Sequence, residues 1–184
     1  FGAHLMLRVE DSVVVLIDVQ GKLAELMHEK EQLYQQLKIL LRGARVLEVP
    51  ILWLEQYPQG LGPTVPEISA LLEGLEPIDK TSFSACGAEQ FQQALRDVDR
   101  STVVVAGIEG HVCVYQTVQD LLVAGFSVEV VGDAVSSRTA ANRRAGLERM
   151  ERLGAGMVTV EMVLFEWLRE AGTAAFKEIS KLVR

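Results

Sequence analysis

The sequence predicts an α/β protein, a three-layer α/β/α sandwich built on a mostly parallel, Rossmann-like sheet. Two observations lead to this prediction. Short apolar runs without polar alternation recur along the chain, and such runs suit strands that are buried on both faces. Between them lie helix-length segments whose apolar residues are spaced three and four apart, as on amphipathic helices. Alternation of these two patterns favours parallel strands joined by right-handed crossovers.

The strand candidates are runs rich in Val, Ile and Leu. Four of them are strong and a fifth, at the C-terminal end of the pattern, is weaker because it is short and begins with glycine. In chain order they cover residues 13–19, 50–56, 102–107, 127–133 and 156–160.

Three helices are predicted from the apolar spacing, within residues 33–47, 114–122 and 141–150. Gly125 is expected to end the second, and hydroxyl residues just before the third are suited to cap its start. Residues 55–67, "EQYPQGLGPTVPE", concentrate proline and glycine in one long connection, and connections of this length often serve as functional lids.

Length and composition limit the classes of function. With 184 residues the chain is expected to form one domain over residues 6–184, Met6 being the expected native start and residues 1–5 foreign to it. A net charge of -7 without a basic cluster argues against nucleic-acid binding, and no apolar run reaches the roughly 18 residues of a membrane span. Two cysteines and no zinc motif indicate a reducing cytoplasm and no structural metal.

Candidate catalytic residues fall where strands end, which is where open α/β sheets bind ligands. Asp18 and Gln20 follow the first strand, Lys80 follows a short extended piece, and Cys113 begins the helix after the third strong strand. Free amide groups and the dipole at a helix start favour a thiolate, so Cys113 is expected to be reactive, whereas Cys86 has no such placement. Each residue also has an ordinary structural alternative: a buried apolar cysteine, a turn-capping aspartate and a solvated lysine.

Several common sites are not supported. His111 lies too near Cys113 in sequence to face it as a base, and is expected instead to line the pocket. The chain has no GxGxxG after a strand, no GxxxxGK[ST] and no GxSxG, which argues against dinucleotide, P-loop and serine hydrolase sites.

The segments "LIDVQ", "DKTSFS" and "GIEGHVCVYQT", in this order, resemble the isochorismatase-like cysteine hydrolase superfamily, which includes nicotinamidases and N-carbamoylsarcosine amidases. The resemblance covers nearly the whole chain from Met6, and "EQYPQGLGPTVPE" is most similar to the isochorismatase-domain-containing hydrolases. It implies a triad of Asp18, Lys80 and Cys113 that hydrolyses a small amide, carbamoyl or related substrate through a thioester. It also implies a cis peptide bond between Ile108 and Glu109, with the amides of Glu109 and Cys113 as oxyanion donors.

Nicotinamidases carry a metal-binding aspartate and histidines after the second strand, whereas residues 55–58 read Glu-Gln-Tyr-Pro. We therefore expect no metal and no cofactor. The partner is expected to be a small-molecule substrate. The candidate residues of its pocket are Gln20, Tyr57, Phe83, His111 and Tyr115. The alternative function is a redox-responsive or ligand-binding protein that uses Cys113 as a sensor thiol.

A homo-oligomer, a dimer or larger, is also expected. The resemblance suggests it, and the C-terminal segment from residue 163 onward has more apolar residues than one edge of a small sheet usually covers.

Overall fold

A computed structural model of the chain describes residues 5–184 and confirms the predicted fold class. Six strands form one parallel sheet in the order β3-β2-β1-β4-β5-β6, with helices on both faces. The prediction that residues 1–5 are foreign to the native chain falls, except for Leu5, outside the described residues. Within the described part, no helix has the length and apolar character needed to cross a bilayer.

All five predicted strands are present, with ends that differ by a few residues. Ile78–Lys80, which the sequence indicated only as a short extended piece, is a true strand that pairs with its neighbour at the sheet edge. The strands are β1 Ser12–Ile17, β2 Ile51–Gln56, β3 Ile78–Lys80, β4 Thr102–Ile108, β5 Ser127–Ser136 and β6 Gly156–Val158.

The three predicted helices are confirmed as α2, α6 and α7, and Thr139 caps α7 by accepting a 3.1 Å hydrogen bond from the amide of Asn142. The long proline-rich connection contains two short helical turns, and α5, α8 and α9 were not predicted. The helices are α1 Gly21–Glu25, α2 Lys30–Val46, α3 Pro58–Leu61, α4 Pro66–Ser69, α5 Glu89–Val98, α6 Cys113–Val123, α7 Ala140–Arg152, α8 Val160–Leu168 and α9 Ala174–Leu182.

The central strands are continuously apolar because each face of the sheet supports its own core. On β1, Val14 and Leu16 point into one cluster, together with α2, α8 and α9. Val13, Val15 and Ile17 point into the other, together with α5, α6 and α7. Alternate side chains of one strand thus fill two different cores, which removes the polar alternation of a one-sided sheet.

The C-terminal helices are used mainly inside the protein. Leu164, Trp167 and Ile179 are buried in the core beneath α2, and the indole N–H of Trp167 donates a 3.0 Å hydrogen bond to the hydroxyl of Ser12. Phe165 remains 40 % exposed. Most apolar side chains of this segment therefore pack into the protein's own core, and less apolar surface than expected is exposed for contact with a partner.

The order of the strands reverses beside β1, since the chain crosses from β1 to β2 on one side and later returns to β4 on the other. Gly107, near the end of β4, lies opposite Ile17 in the register and has a φ of 124°. A Cβ at this position would collide with the backbone of Ile17. The crevice at such a switch point is where open α/β sheets bind ligands, so this close backbone approach helps to shape the site.

Gly107→Ala should destabilise the protein by about 3–5 kcal/mol, because it adds both a strained backbone and a collision with β1. Gly125→Ala is the matched control, since Gly125 also has a positive φ, 93°, but nothing lies within 4 Å of its Cβ position. It should cost about 1–2 kcal/mol from the backbone alone. Urea unfolding of the two variants checks the difference, and equal losses would contradict it.

Candidate active site

The structure brings the three predicted catalytic residues together at the carboxyl edge of the sheet. Asp18 follows β1, Lys80 ends β3 and Cys113 begins α6. All three are buried, with exposed fractions of 2 %, 4 % and 7 %. The Nζ atom of Lys80 lies 2.9 Å from Oδ2 of Asp18, so the acid and the ammonium form a direct ion pair across 62 positions of sequence.

Lys80 has four oxygen acceptors around its ammonium group. Besides Asp18, these are Oε1 of Gln56 at 2.6 Å and the carbonyls of Ser82 at 3.1 Å and Phe83 at 2.8 Å. An ammonium carries three protons, so every one of them is taken up by a protein group. The cation therefore acts on the site through its charge and its hold on neighbouring groups.

Asp18 uses only one of its two carboxylate oxygens. Oδ2 accepts from Lys80, whereas Oδ1 is buried and has no hydrogen-bond partner among the described residues. Burial raises the pKa of this carboxyl group above its ordinary value, and the charge of Lys80 opposes that rise. A buried, unpartnered oxygen on a carboxyl group of raised pKa is a good proton acceptor.

Burial of Cys113 works against the thiolate that its helix-start position favours. Burial, and next the negative charge of Asp18, raise the pKa of its thiol to about 12, while Lys80 acts in the opposite direction. A helix dipole contributes up to about 2 kcal/mol in a partly buried site, or about 1.5 pKa units, which is less than this rise. Burial raises the pKa of Cys86 to about 11 as well.

The turn before Cys113 exposes two amide groups. The peptide bond between Ile108 and Glu109 is cis, as the resemblance implies. The carbonyl of Glu109 accepts from the amides of Val112 at 3.1 Å and Val114 at 3.2 Å. Over residues 5–184, the amides of Glu109 and Cys113 have no acceptor of their own. They are thus available as donors to a ligand.

Side chains of the same turn are fixed to the segment after β5. The buried carboxylate of Glu109 accepts from the amide of Arg138 at 3.0 Å and from its Nε at 3.2 Å. Nδ1 of His111 lies 2.9 Å from the hydroxyl of Ser137. His111 therefore tethers the turn through this nitrogen, a role that the expectation of a pocket-lining residue did not include.

Two other expected pocket residues have structural contacts instead. Gln20 is fully buried, and its amide binds the backbone of Gln56 and the carbonyl of Gly62, so it holds the long connection in place. The hydroxyl of Tyr115 lies 3.5 Å from Nε of Arg149, at the contact between α6 and α7.

Tyr57 and Phe83 remain candidates for contact with a ligand. Each is 54 % exposed, and each adjoins a residue of the Lys80 environment. Tyr57 also lines a cleft of about 450 Å³ together with Lys80, Ser82 and Gly87. Two half-exposed aromatic residues thus lie next in sequence to groups that bind Lys80.

Known proteins support the family that the motifs indicate. Residues 12–162 match the Isochorismatase domain. Isochorismatase domain-containing protein 2 of Macaca fascicularis is 43 % identical over 173 residues, which cover 94 % of this chain and 83 % of that protein. The chain belongs to the isochorismatase domain family.

Two solved structures share the fold. The MAR1 ribonuclease of Caenorhabditis elegans is 36 % identical, with a TM-score of 0.91 over 97 % of this chain and 92 % of that one. The YcaC gene product of Escherichia coli, an octameric hydrolase of unknown specificity, has a TM-score of 0.92 over 99 % of this chain and 92 % of that one. At 24 % identity it shows the shared fold alone.

The region where nicotinamidases of this superfamily hold a metal is used differently here. Glu55 is buried, and its Oε2 accepts from the amide of Thr64 at 2.5 Å and from its hydroxyl at 2.7 Å. In the part of the chain that the structure describes, no three His, Cys, Asp or Glu side chains are grouped as metal ligands would be. The Glu55 carboxylate is thus engaged in bracing the long connection.

Gln56 is the site residue that the sequence analysis missed. It pairs with Lys80 in the register of β2 and β3, and its Oε1 lies 2.6 Å from Nζ of Lys80 and 3.9 Å from Sγ of Cys113. Its only sequence signal is its place as the last residue of a buried strand, the same signal that singled out Asp18.

Titration of the resting protein should show no Cys113 thiolate near neutral pH. Because the folded pKa is raised, the thiol stays protonated as the pH rises through about 8.5, where a free thiol ionises. Thiolate absorbance of the wild type minus that of Cys113→Ala measures this directly, and Cys113→Ala alone reports Cys86. A Cys113-dependent step below about pH 8 would show that the helix start outweighs burial.

Proposed function

We propose that the protein is a cysteine hydrolase that cleaves a small amide, carbamoyl or related acyl substrate through a thioester on Cys113. One observation carries the proposal. Asp18 is buried with Oδ2 bound to Lys80 and with no hydrogen-bond partner for Oδ1 in the described part of the chain, in the same site as a buried thiol. A nucleophile, a proton acceptor and a fixed cation are the groups that acyl transfer needs.

In the first step the thiol proton of Cys113 passes to Oδ1 of Asp18 while sulfur attacks the substrate carbonyl carbon. The new S–C bond displaces the carbonyl π electrons onto oxygen. The amides of Glu109 and Cys113 are the proposed donors to that oxyanion, and their lack of protein acceptors supports this role. The proton moves between two groups beside Lys80, so the total charge of the three side chains does not change before the substrate oxygen becomes negative.

In the second step the proton on Asp18 goes to the leaving nitrogen, the C–N bond breaks, and a thioester remains on Cys113. Water then attacks the thioester with Asp18 again as proton acceptor. The C–S bond breaks, the thiol recovers its proton from Asp18, and the acid product leaves. Asp18 alternates between base and acid, which suits a carboxyl group whose pKa is raised.

Two alternative functions, RNA cleavage and redox sensing, are distinguished by the experiment described below. The Caenorhabditis elegans relative is named a ribonuclease, but this chain has a net charge of -7 and the ammonium of Lys80 has no proton left for a phosphate. Nucleic-acid backbones are bound by accessible Lys and Arg, so this arrangement favours a small uncharged carbonyl compound. A sensor thiol would have little use for the unpartnered oxygen of Asp18.

The decisive experiment is a turnover screen of small amides and carbamoyl compounds that records ammonia release and trapped adduct mass on the intact protein. The wild type should turn over at least one compound and gain an acyl mass on Cys113. Asp18→Asn and Cys113→Ala should each lose about 10²-fold or more of the activity, because each removes a group that moves or accepts the proton. Cys86→Ala, the matched cysteine control, should keep it.

Other outcomes of the screen would count against the proposal. Oxidation of Cys113 by peroxide without acyl mass from any compound would favour the sensor. Cleavage of RNA that is lost in Cys113→Ala would favour the relative's named activity.

Hydrolysis should survive chelation, because Glu55 is bound to Thr64 and no histidine lies among residues 55–58. Activity after EDTA treatment and gel filtration should equal that of untreated protein. Loss of activity that zinc or another divalent metal restores would show that the site recruits a metal ligand set.

The proposal also includes a homo-oligomer in a reducing cytoplasm. Exposed apolar side chains, Met162 at 47 %, Phe165 at 40 % and Val123 at 83 %, support a contact between copies, although most of the C-terminal segment is buried. Light scattering at micromolar concentration should give a mass above the 20.3 kDa of one chain. A mass of one chain at that concentration would contradict the oligomer and leave the chemistry untouched.

A further inference from the structure

The side-chain amide of Gln56 is held by hydrogen bonds at both of its polar atoms. Its Nε2 donates to the carbonyl of Thr81 at 2.8 Å, and its Oε1 accepts from Nζ of Lys80 at 2.6 Å. Its backbone is also fixed, since its amide donates to Oε1 of Gln20 at 2.6 Å and its carbonyl accepts from Nε2 of Gln20 at 3.1 Å. The residue therefore has one position and one orientation.

That orientation is dictated by chemistry. An ammonium group can only donate, so the atom of Gln56 that faces Lys80 must be the oxygen. A backbone carbonyl can only accept, so the atom that faces Thr81 must be the NH₂ group. Turning the amide over would place two donors together at Lys80 and two acceptors together at Thr81. The amide oxygen thus stays on the side of Lys80 and Cys113.

The same oxygen lies 3.9 Å from Sγ of Cys113, within reach of its S–H group. An oxygen in this place accepts from a thiol but repels a thiolate, and the locked amide cannot rotate to offer an N–H instead. The charged groups that act on the sulfur are Asp18 and Lys80, and Glu55 acts on Asp18 in turn. Gln56 carries no charge, but its amide oxygen also favours the thiol over the thiolate because it can accept the S–H proton.

We propose that Gln56 is a positioning residue that holds Cys113 as an oriented thiol until a substrate carbonyl is in place. The proposal rests on the proposed function, in which Cys113 is the nucleophile. Oε1 of Gln56 and the carboxylate of Asp18 both attract the thiol proton, and the proton is transferred to Asp18 as sulfur moves toward the substrate. The empty site is thereby protected from electrophiles and oxidants, while Lys80 is kept in line by the same oxygen.

The test measures alkylation of Cys113 by iodoacetamide near neutral pH, without substrate, by intact mass. Gln56→Met keeps the length of the side chain but removes the acceptor and the donor. Losing one hydrogen bond of about 1 kcal/mol should raise the thiolate fraction and the alkylation rate about fivefold. Turnover of any substrate should fall, because Lys80 and the sulfur lose a shared anchor. A defect that merely opened the site would also expose the buried thiol and speed alkylation while lowering turnover. Gln56→Glu separates the two cases, because opening would speed alkylation in that variant too, whereas the proposal expects slower alkylation.

Gln56→Glu is the second variant, and it keeps an oxygen acceptor for Lys80. Its added negative charge disfavours the thiolate further, so alkylation should be slower than in the wild type. The variant also covers the case in which Gln56→Met does not fold. Gln92→Met, a change to a glutamine of α5 that lies outside the site and bonds to the carbonyl of Cys86, should alkylate at Cys113 like the wild type.

Alkylation in the order Gln56→Met, then wild type, then Gln56→Glu supports the proposal. Folded Gln56→Met that reacts no faster than the wild type, or Gln56→Glu that reacts faster, would overturn it. Because alkylation needs no substrate, the expected order in a protein that cleaves no amide would remove the proposed function but keep the hold on the thiol. Turnover of a substrate together with the reverse order of alkylation would keep the proposed function and remove the role of Gln56 in holding the thiol.

Discussion

The buried ion pair between Lys80 and Asp18 is the interaction on which the rest of the site depends. Burying a lone carboxylate or ammonium costs several kcal/mol, and their attraction offsets that cost only when further hydrogen bonds complete the pair. The structure supplies those bonds to the cation from three neutral oxygens, on Gln56, Ser82 and Phe83. Within residues 5–184 it supplies none to Oδ1 of Asp18. The pair is thus completed on the lysine side and left open on the acid side, where a proton can be received.

The fold makes this arrangement possible because it gathers strand ends that are far apart in sequence. Asp18 and Lys80 leave β1 and β3, with β2 between them, and Gln56 at the end of β2 connects the two. Cys113 arrives from the other side of the switch point, after β4. The loop after Lys80 is fixed to the cysteine helix, since the amide of Ala85 donates a 2.9 Å hydrogen bond to the hydroxyl of Thr117. Parallel order therefore serves the chemistry directly.

The sequence was sufficient for the fold class and for placing Asp18, Lys80 and Cys113 at one edge of the sheet, since both depend on local signals. Continuous β-branched runs reveal buried strands, and the residue after such a run lies at the ligand-binding edge. The helices α8 and α9 were missed because their apolar residues were read as spare surface, whereas Leu164 and Trp167 fill the core under α2. The spacing of apolar residues identifies the apolar face of a helix. It does not say whether that face packs against the protein's own core or against a partner, because tertiary packing decides this.

The same limit applies to the polar residues of the site. Gln20 and His111 have side chains suited to a pocket, but the first is consumed by backbone contacts of the long connection and the second by Ser137. Gln56 could not be singled out beyond its place at the end of a strand, because its role depends on contact with Lys80, its partner in the β2–β3 register. Polar residues of similar type thus took structural or chemical roles according to which groups were brought beside them.

The charge state of Cys113 shows how far a local rule can be outweighed. A helix start and a neighbouring lysine both favour a thiolate, and sequence reasoning stops there. In the folded site the ammonium of Lys80 is already paired with Asp18. Burial and the negative charge of Asp18 therefore raise the pKa of the Cys113 thiol more than Lys80 lowers it. Moving the proton from sulfur to Asp18 leaves the three side chains with the same total charge. A buried site can carry out this transfer without taking an ion from water, and so the nucleophile can be formed at the moment of attack and need not be stored beforehand.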